Sequence, residues 1–383
     1  MSDEVKQRER DVSYLLLPCF KEGIVWLMKY PLLSRLFLSR YRTPGTPSIG
    51  MAPSQIAAID QYNKKCESGE YSFERVPCLC GSTRSYCVGL ACRYGLSTES
   101  HLCLRCGMLR TDPRLTEESL TKFYQELYGT IYEFAADQEV FDLTLRKEQR
   151  YQEQKTRGEW LYQEIKSQLP QDRAPKVFDI GCNSGAALLA FKDAGCECFG
   201  CDLGVSSFER GQKEGLTLVE GDETALEQFG TADFVFLSHV MEHLPHPDVT
   251  FKNIRGLLND GGHLYVEVPG MLRFHTRAKG MMQYLQNAHL YHFSLGTLTD
   301  LARQSGFVRY KGSQLVSGFF TKDSQKALSV RRHYLRPYLY LLYIFFVEIL
   351  YLTRLLPAFM AVYFFVRRGV RHMLRDAWKC IKR

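Results

Sequence analysis

The stretch VFDIGCNSGAALLAF, residues 177–191, decides the fold. It has the pattern of a buried strand, a glycine turn and the start of a helix. Gly181 and Gly185 can take positive φ angles and leave room for a ligand beside the backbone, and the helix begins with unpaired N–H groups. The pattern predicts a ligand site at the carboxyl end of the strand. Taken alone, it is also typical of a generic nucleotide-binding turn.

Beyond this turn, β-rich runs alternate with helical stretches. The runs are ECFGCD (197–202), LTLVEGD (216–222), DFVFLSH (233–239) and HLYVEVP (263–269). This alternation predicts a parallel sheet with helices on both faces. Asp202 ends the first of these runs, where an acid can accept hydrogen bonds from two ribose hydroxyls. Asp222 ends the second and is placed to meet an adenine amino group, with its neighbour Glu223 as the rival.

The motifs DIGCNSG, CDLG, EGD, SHVMEHLPHP and LLNDGGHLYVEVP follow one another over about residues 176–307. In order and spacing they resemble the motifs of class I S-adenosylmethionine-dependent methyltransferases. The resemblance implies an α/β fold with a Rossmann-like, seven-stranded methyltransferase sheet. It also implies a catalytic domain over residues 171–330 that uses S-adenosyl-L-methionine as its cofactor.

The same resemblance implies which residues contact the cofactor. They are Asp179, Gly181 and Gly185 at the methionine end, Asp202 at the ribose, Asp222 at the adenine, and Ser238 and His239 beside the sulfonium. Asn183 departs from the family pattern, because many members carry glycine there. Asparagine tolerates left-handed backbone angles, so we expect the turn to form, with Asn183 as part of the cofactor site.

Two short cysteine motifs lie upstream, CLCGS (78–82) and CLRCG (103–107). Four thiolates in two turns, each followed by glycine, suit a tetrahedral zinc ion, and the predicted ligands are Cys78, Cys80, Cys103 and Cys106. Cys87, Cys92 and His101 lie between the motifs and could substitute. The chain has 13 cysteines, an odd number, and no visible signal peptide, which indicates a reducing compartment. Free cysteines are the main alternative, and a catalytic cysteine is a weaker one.

The stretch CLRCGMLRTDPRLTEESLTKFYQELYGTIY, residues 103–132, resembles the N-terminal zinc-binding module of methyltransferases that act on sugars and polysaccharide precursors. The resemblance implies a structural zinc that helps to cover the substrate cleft, in a module over residues 74–112. A helical connector is predicted over residues 113–170. Thr116 is a plausible helix N-cap there, with two acids in the first turn.

A sugar hydroxyl is a poor nucleophile, so a general base helps, and histidine suits this role because its unperturbed pKa is about 6.5. The candidates are His239, His243, His289 and His292. We predict that His289 is the base and that His243 is the next candidate, with a structural role as the alternative for each. Sugar C-methyltransferases carry His-Glu-His where this chain has Asn-Ala-His at 287–289, and this departure favours O-methylation.

The net charge of +7 belongs to the two ends of the chain. Residues 331–383 carry eleven Lys and Arg against two acids, residues 1–50 carry eight against five, and the middle is therefore acidic. An acidic middle argues against nucleic-acid binding. The basic, aromatic-rich ends predict association with a membrane surface. Glu348, Arg354 and Pro357 interrupt the apolar run, which favours an interfacial or re-entrant hairpin over a clean span.

Alternatively, the two apolar ends pack on each other or form an oligomer interface.

Together the patterns predict a peripheral enzyme at the cytoplasmic face of the membrane. It would methylate a sugar hydroxyl of a lipid-linked or polysaccharide intermediate, with a sugar or glycolipid, the membrane surface and glycan-assembly proteins as partners. One alternative is a methyltransferase of a soluble nucleotide sugar or small metabolite, which gives no reason for such ends. The other is a non-catalytic cofactor-binding scaffold of a glycan-assembly complex, which need not keep the glycines and acids.

Overall fold

The structure is a computed structural model that describes residues 47–133, 140–272, 281, 284–314, 316–322 and 335–355. The predicted amphipathic segment at 1–50 lies almost entirely outside the described residues. The part of the C-terminal segment at 356–383 also lies outside them. Every element below belongs to the described part of the chain.

The strands are β1 (Phe73–Glu74), β2 (Ser85–Ala91), β3 (Ser97–Cys103), β4 (Leu109–Thr111), β5 (Arg114–Leu115), β6 (Lys176–Ile180), β7 (Glu197–Asp202), β8 (Thr217–Glu220), β9 (Ala232–Ser238), β10 (Leu258–Glu267), β11 (Tyr291–His292), β12 (Phe307–Ser313) and β13 (Ser317–Lys322). The α-helices are α1 (Pro53–Glu67), α2 (Glu117–Phe123), α3 (Val140–Ile165), α4 (Leu189–Asp193), α5 (Phe208–Lys213), α6 (Pro247–Leu257), α7 (Leu295–Gln304) and α8 (Arg336–Leu352). The shorter helical elements are a π-helix (Tyr124–Glu133) and 3₁₀ turns at Lys166–Gln168, Ala186–Leu188, Val205–Ser207 and Glu223–Phe229.

Seven strands form one mixed sheet in the order β12-β13-β10-β9-β6-β7-β8. Strands β6 to β10 run parallel, while β13 pairs antiparallel with both β10 and β12. The runs that the sequence marks as parallel strands overlap these five strands. The prediction of a seven-stranded, Rossmann-like sheet is therefore confirmed.

The central strands of this sheet are covered by helices on both faces. Six of the seven residues of β9 are buried, as expected for a parallel strand packed on both sides. Phe251 of α6 and Leu298 of α7 pack on one face. Leu161 of α3 and Phe191 of α4 pack on the other. The two layers hold the carboxyl ends of β6 and β9 side by side at one edge.

The cysteine motifs lie in a second sheet with the order β11-β4-β3-β2. Strands β2, β3 and β4 form an antiparallel meander, but β11 comes from the segment that follows β10. His292 pairs with Leu109, and the Thr111 hydroxyl donates to the carbonyl of His289 at 3.1 Å. The cysteine module therefore receives its fourth strand from the part of the chain that follows the large sheet's strand β10.

The region predicted as a helical connector has two different parts. α2 begins at Thr116, whose side chain caps the backbone N–H of Ser119, as the sequence predicts. α3 instead lies directly on the glycine turn of the large sheet. A Cβ atom on Gly158 would come within 2.1 Å of the carbonyl oxygen of Ala187. Because the packing is this close, α3 is physically part of the large sheet's helical layer, although it precedes the predicted boundary at 171.

The start of the predicted membrane-associating segment is α8. One face of this helix packs on the cysteine module, with buried side chains from Leu341, Ile344 and Val347. The opposite face exposes Leu339, Phe346 and Ile349 to solvent. Within the described residues, none of the helices combines the length and the apolar character that a membrane crossing requires.

Candidate active site and cysteine centre

The predicted cofactor residues meet at the carboxyl edge of the large sheet. Asp179 lies in β6 and Ser238 ends β9, and these two strands are neighbours. After β6 the chain adds β7 and β8 on one side of β6, and it then returns to add β9 on the other side. The strand order therefore reverses between β6 and β9. Ligands of open α/β sheets bind at such a switch point.

The glycine turn after β6 has the backbone that its sequence predicts. Gly181 and Gly185 have φ values of 73° and 74°, and Asn183 takes a left-handed φ of 51°. A Cβ atom on Gly181 would lie 2.2 Å from a methyl carbon of Val240. The missing side chain of Gly181 therefore lets the turn approach the loop after β9. Asn183 takes its left-handed conformation without being glycine.

Two acids flank this turn. Asp202 accepts hydrogen bonds from the backbone N–H groups of Asn183 and Gly204, both at 2.8 Å. These bonds fix its carboxylate at the mouth of the turn. Asp179 is buried at the end of β6, and burial together with the nearby Asp202 raises the pKa of Asp179 well above its ordinary value. A cationic ligand in the turn would relieve this cost.

The acids after β8 divide into an exposed and a buried one. Asp222 is exposed and caps the following 3₁₀ turn by accepting from the Thr224 N–H at 2.9 Å. Its rival Glu223 is buried and accepts from the Asn253 side chain at 2.9 Å. Asp222 remains the predicted adenine contact.

The sequence analysis did not single out Arg157 or Glu267, yet both lie beside Ser238. The Ser238 hydroxyl donates to Glu267 Oε2 at 3.1 Å, and Arg157 Nε lies 3.0 Å from the same oxygen. Glu267 ends β10 and Arg157 comes from α3. The position of Glu267 at a strand end was a usable signal, whereas the reach of Arg157 depends on how α3 packs.

The predicted histidines surround one buried carboxylate, that of Glu242. Its Oε1 atom lies 3.5 Å from His239 Nδ1, 3.9 Å from His243 Nε2 and 4.0 Å from His289 Nε2. The His243 and His289 rings meet edge to face, with centroids 4.8 Å apart. The structure thus brings both predicted catalytic histidines together and adds the buried carboxylate of Glu242.

The environments of these histidines differ. Burial lowers the pKa of His239, but Glu242 outweighs this effect and the pKa ends above its ordinary value. Burial, reinforced by His243 and His292, lowers the pKa of His289 well below its ordinary value. His292 is fully buried behind it, with its pKa lowered by burial to about 3. His289 is therefore neutral near pH 7, as a proton acceptor must be.

An aromatic row from the π-helix faces the same region. Tyr124, Tyr128 and Tyr132 stack along it, with centroids 4.6 and 4.8 Å apart. The Tyr132 hydroxyl donates to the Asn287 side chain. Burial raises the pKa of Tyr124, and the nearby Glu242 contributes to this. The four-residue spacing in YQELYGTIY was a signal for this wall that the sequence analysis did not use.

The four predicted zinc ligands converge. Cys78 and Cys106 have their sulfurs 3.5 Å apart, Cys80 and Cys103 have theirs 3.6 Å apart, and all four sulfurs lie within 4.8 Å of one another. Zn–S bonds of about 2.3 Å in a tetrahedron put sulfurs about 3.8 Å apart. Contact with Cys106 lowers the pKa of Cys103, and the reverse contact raises the pKa of Cys106. A cation would allow all four to ionise.

The turns that hold these cysteines have the expected glycines. Gly81 and Gly107 have φ values of 78° and 80°, and the Arg105 N–H donates to the Cys103 sulfur at 3.4 Å. The possible substitutes do not enter the cluster. Cys87 and His101 group instead with Glu99, and Cys92 is buried in a separate apolar core.

A family model described as a methyltransferase domain matches residues 150–310. The ubiquinone biosynthesis O-methyltransferase of Acinetobacter baumannii (strain AYE) is 31% identical over 99 residues, which is 24% of this chain and 42% of that protein. The protein of the same name from Bordetella avium (strain 197N) is 31% identical over 117 residues, 28% of this chain and 47% of its own length. The chain thus spans less than half the length of these curated relatives.

Among solved structures, the magnesium protoporphyrin IX methyltransferase (ChlM) of Synechocystis PCC 6803 with bound SAM aligns at 15% identity with a TM-score of 0.34. The alignment covers 54% of this chain and 92% of that one. The sheet topology, the glycine turn with its acids and the family match agree with one another. Residues 150–310 form a class I S-adenosylmethionine-dependent methyltransferase domain, and the chain carries the domain of a methyltransferase enzyme.

Proposed function

We propose that the protein transfers a methyl group from S-adenosylmethionine to a ring hydroxyl of a sugar in a lipid-linked or polysaccharide intermediate. The observation that carries this proposal is the histidine cluster around Glu242, which begins at His239, the residue directly after Ser238 at the cofactor edge. A cofactor that fills this edge would present its sulfonium to the cluster. The printed name of the curated relatives, an O-methyltransferase, supports oxygen as the acceptor.

The chemistry asks little of the protein beyond alignment and removal of one proton. The acceptor hydroxyl gives its proton to an imidazole, for which the neutral His289 is the predicted base and His243 the second candidate. The oxygen then attacks the methyl carbon in line with the C–S bond. That bond breaks, its electron pair stays on sulfur, and S-adenosylhomocysteine leaves.

The tyrosine row supports a ring-shaped acceptor. The tilted tyrosine rings offer apolar surface together with hydroxyl groups, which suits a sugar ring. A second candidate is the hydroxyl of a lipid-linked aromatic ring, which the name of the ubiquinone biosynthesis relatives favours. Both candidates are hydroxyls on amphiphilic molecules.

We propose further that Cys78, Cys80, Cys103 and Cys106 hold a structural zinc ion. Their sulfur spacings and the cost of ionising four adjacent thiols support it. When bound, zinc would supply cross-linking of the two cysteine turns and no chemistry at the methyl group. Met108 and Tyr291 lie in the same buried cluster as these cysteines, so the ion would stabilise the contact between the module and the catalytic sheet.

The proposed location is the cytoplasmic face of the membrane, as a peripheral protein. Support comes from the exposed apolar side chains of α8, namely Leu339, Phe346 and Ile349, and from the excess of basic residues beyond that helix. Apolar side chains together with basic groups are the pattern of an interfacial helix. Glycan-assembly proteins stay predicted partners.

The decisive experiment is methyl transfer from labelled S-adenosylmethionine in a membrane-plus-cytosol extract, followed by organic–aqueous partition and hydrolysis of the labelled product. A methylated sugar in the organic phase, absent with Asp179→Asn and present with the surface control Asp193→Asn, is the expected result. A methylated phenol would favour the second candidate. Label confined to small aqueous molecules would favour a soluble nucleotide sugar. No label at all would favour the scaffold alternative.

A further inference from the structure

The carboxylate of Glu242 is the least satisfied charged group near the proposed active site. The residue is 1% exposed, and among the described residues neither of its side-chain oxygens has a hydrogen-bond partner. Burying an ionised carboxylate without hydrogen bonds costs several kcal/mol. A buried carboxylate of this kind needs a cation or a proton next to it.

One neighbouring imidazole, that of His243, is held so that Nε2 faces Glu242. His243 Nδ1 lies 2.9 Å from the carbonyl oxygen of Ala288, and because a carbonyl can only accept, Nδ1 carries the proton. The Nε2 atom is thus the nitrogen of this ring that is available to a metal ion, and it lies 3.9 Å from the carboxylate. Fixing a ring through Nδ1–H to a backbone carbonyl is the usual way proteins orient a metal-binding histidine.

From this geometry we propose that Glu242, His243 and His289 bind a divalent transition-metal cation. Their ligand atoms lie within 4.8 Å of one another, and Glu242 Oε1 is 3.9 and 4.0 Å from the two Nε2 atoms. Metal–ligand bonds of about 2.1 Å in a tetrahedron require separations of about 3.4 Å. The two contacts of Glu242 would each have to shorten by about half an ångström.

Two histidines and one carboxylate suit zinc, manganese or iron in the divalent state and leave coordination positions open. The site is distinct from the cysteine cluster, whose four sulfurs would favour a soft, closed site. His239 Nδ1 lies 3.5 Å from Glu242 Oε1, and its side chain is exposed, so this ring connects the buried carboxylate to solvent.

The use of this ion in catalysis rests on the proposed function, although the site itself does not. An acceptor hydroxyl at an open position would lose its proton more readily, because a divalent cation lowers the pKa of bound oxygen. The proton would leave through His239 to solvent. In this scheme His289 would be a ligand in place of its predicted role as the base, and the ion would hold the acceptor oxygen while that oxygen attacks the methyl carbon and the C–S bond breaks onto sulfur.

The test counts metal ions on the full-length protein, stripped of metal and reloaded with Co²⁺. We expect two ions per chain. One should show the intense sulfur-to-metal absorption of a thiolate site, and the other only the weak visible bands of nitrogen and oxygen ligands. Glu242→Gln and His289→Gln should each lower the affinity for the second ion at least tenfold and leave the thiolate absorption unchanged.

The matched control is His101→Gln, because both nitrogens of that ring already have partners, at 3.1 Å from Ser85 and 2.8 Å from Glu99. It should keep both ions. S-adenosylmethionine binding by calorimetry reports whether each variant is folded. A wild-type chain with one thiolate-bound ion only, or a second ion that survives Glu242→Gln, overturns the proposal. If the wild-type chain binds two ions but transfers no methyl group, the proposed function is wrong and the proposed metal site is still supported.

Discussion

The large sheet and the cysteine module are assembled in opposite ways. In the large sheet, Asp179, Asp202 and Ser238 come from strands β6, β7 and β9, which lie side by side and follow one another closely in the chain. The module combines the β2–β4 meander with β11 and with α8. A site made from successive strand ends is visible in a sequence, whereas one completed by remote segments is visible only in part.

The largest effect should come from the contact between α8 and the module. Leu341 is fully buried there, so Leu341→Asp places an unpaired charge in an apolar core and should lower the free energy of unfolding by about 4 kcal/mol. Thermal and urea unfolding with a bound-zinc assay would measure this. The matched control is Leu339→Asp. Leu339 lies two residues before Leu341, on the opposite face of α8, and its side chain is half exposed.

Leu339→Asp should leave stability within about 0.5 kcal/mol but reduce flotation with anionic vesicles. If the two variants behaved alike in unfolding, α8 would not be part of the module in solution. The contrast between a locally built sheet and a remotely completed module would then lose its main support.

A smaller and more local effect is expected at the glycine turn. Gly181→Ala should lower S-adenosylmethionine affinity at least 100-fold, because its Cβ would collide with Val240 at 2.2 Å. The control is Gly195→Ala, which has a similar φ of 85° but no heavy atom within 4 Å of the added carbon. It should cost about 1 kcal/mol of stability and leave calorimetric affinity unchanged. Equal losses of affinity would mean that backbone strain alone, without the close approach, explains the first variant.

The smallest expected effect is a difference in cofactor affinity between variants of the predicted ribose contact, Asp202, and the predicted adenine contact, Asp222. Asp202→Asn should reduce cofactor affinity roughly 10- to 100-fold, since a charged acceptor of two backbone N–H groups is replaced by an amide. Asp222→Asn should reduce it less than tenfold, because Asp222 is exposed and the amide oxygen can still cap its turn. Calorimetry on both variants ranks them. A larger loss at Asp222 would reverse the predicted division of roles.

Local pattern accounts for most of what the sequence could predict. The φ angles of the glycine turn, the acid at each strand end and the four cysteines follow from short motifs in which spacing dictates geometry. The sequence did not reveal that Glu242 would lie between histidines from two segments, or that Arg157 would reach Glu267. These contacts depend on how separate elements pack against one another. Such packing produces no periodic pattern in a single sequence from which it could be predicted.

The strand that β11 adds to the module has a consequence for protein synthesis. Thr111 and His289, which join the two segments by a hydrogen bond, are 178 residues apart in the chain. At typical translation rates this separation corresponds to roughly ten to forty seconds. During that interval the edge of β4 emerges without its neighbour and exposes unpaired backbone groups. The nascent chain must therefore keep this edge from pairing wrongly. If the two cysteine turns bind the proposed zinc ion early, that ion would hold the incomplete sheet together until its last strand is made.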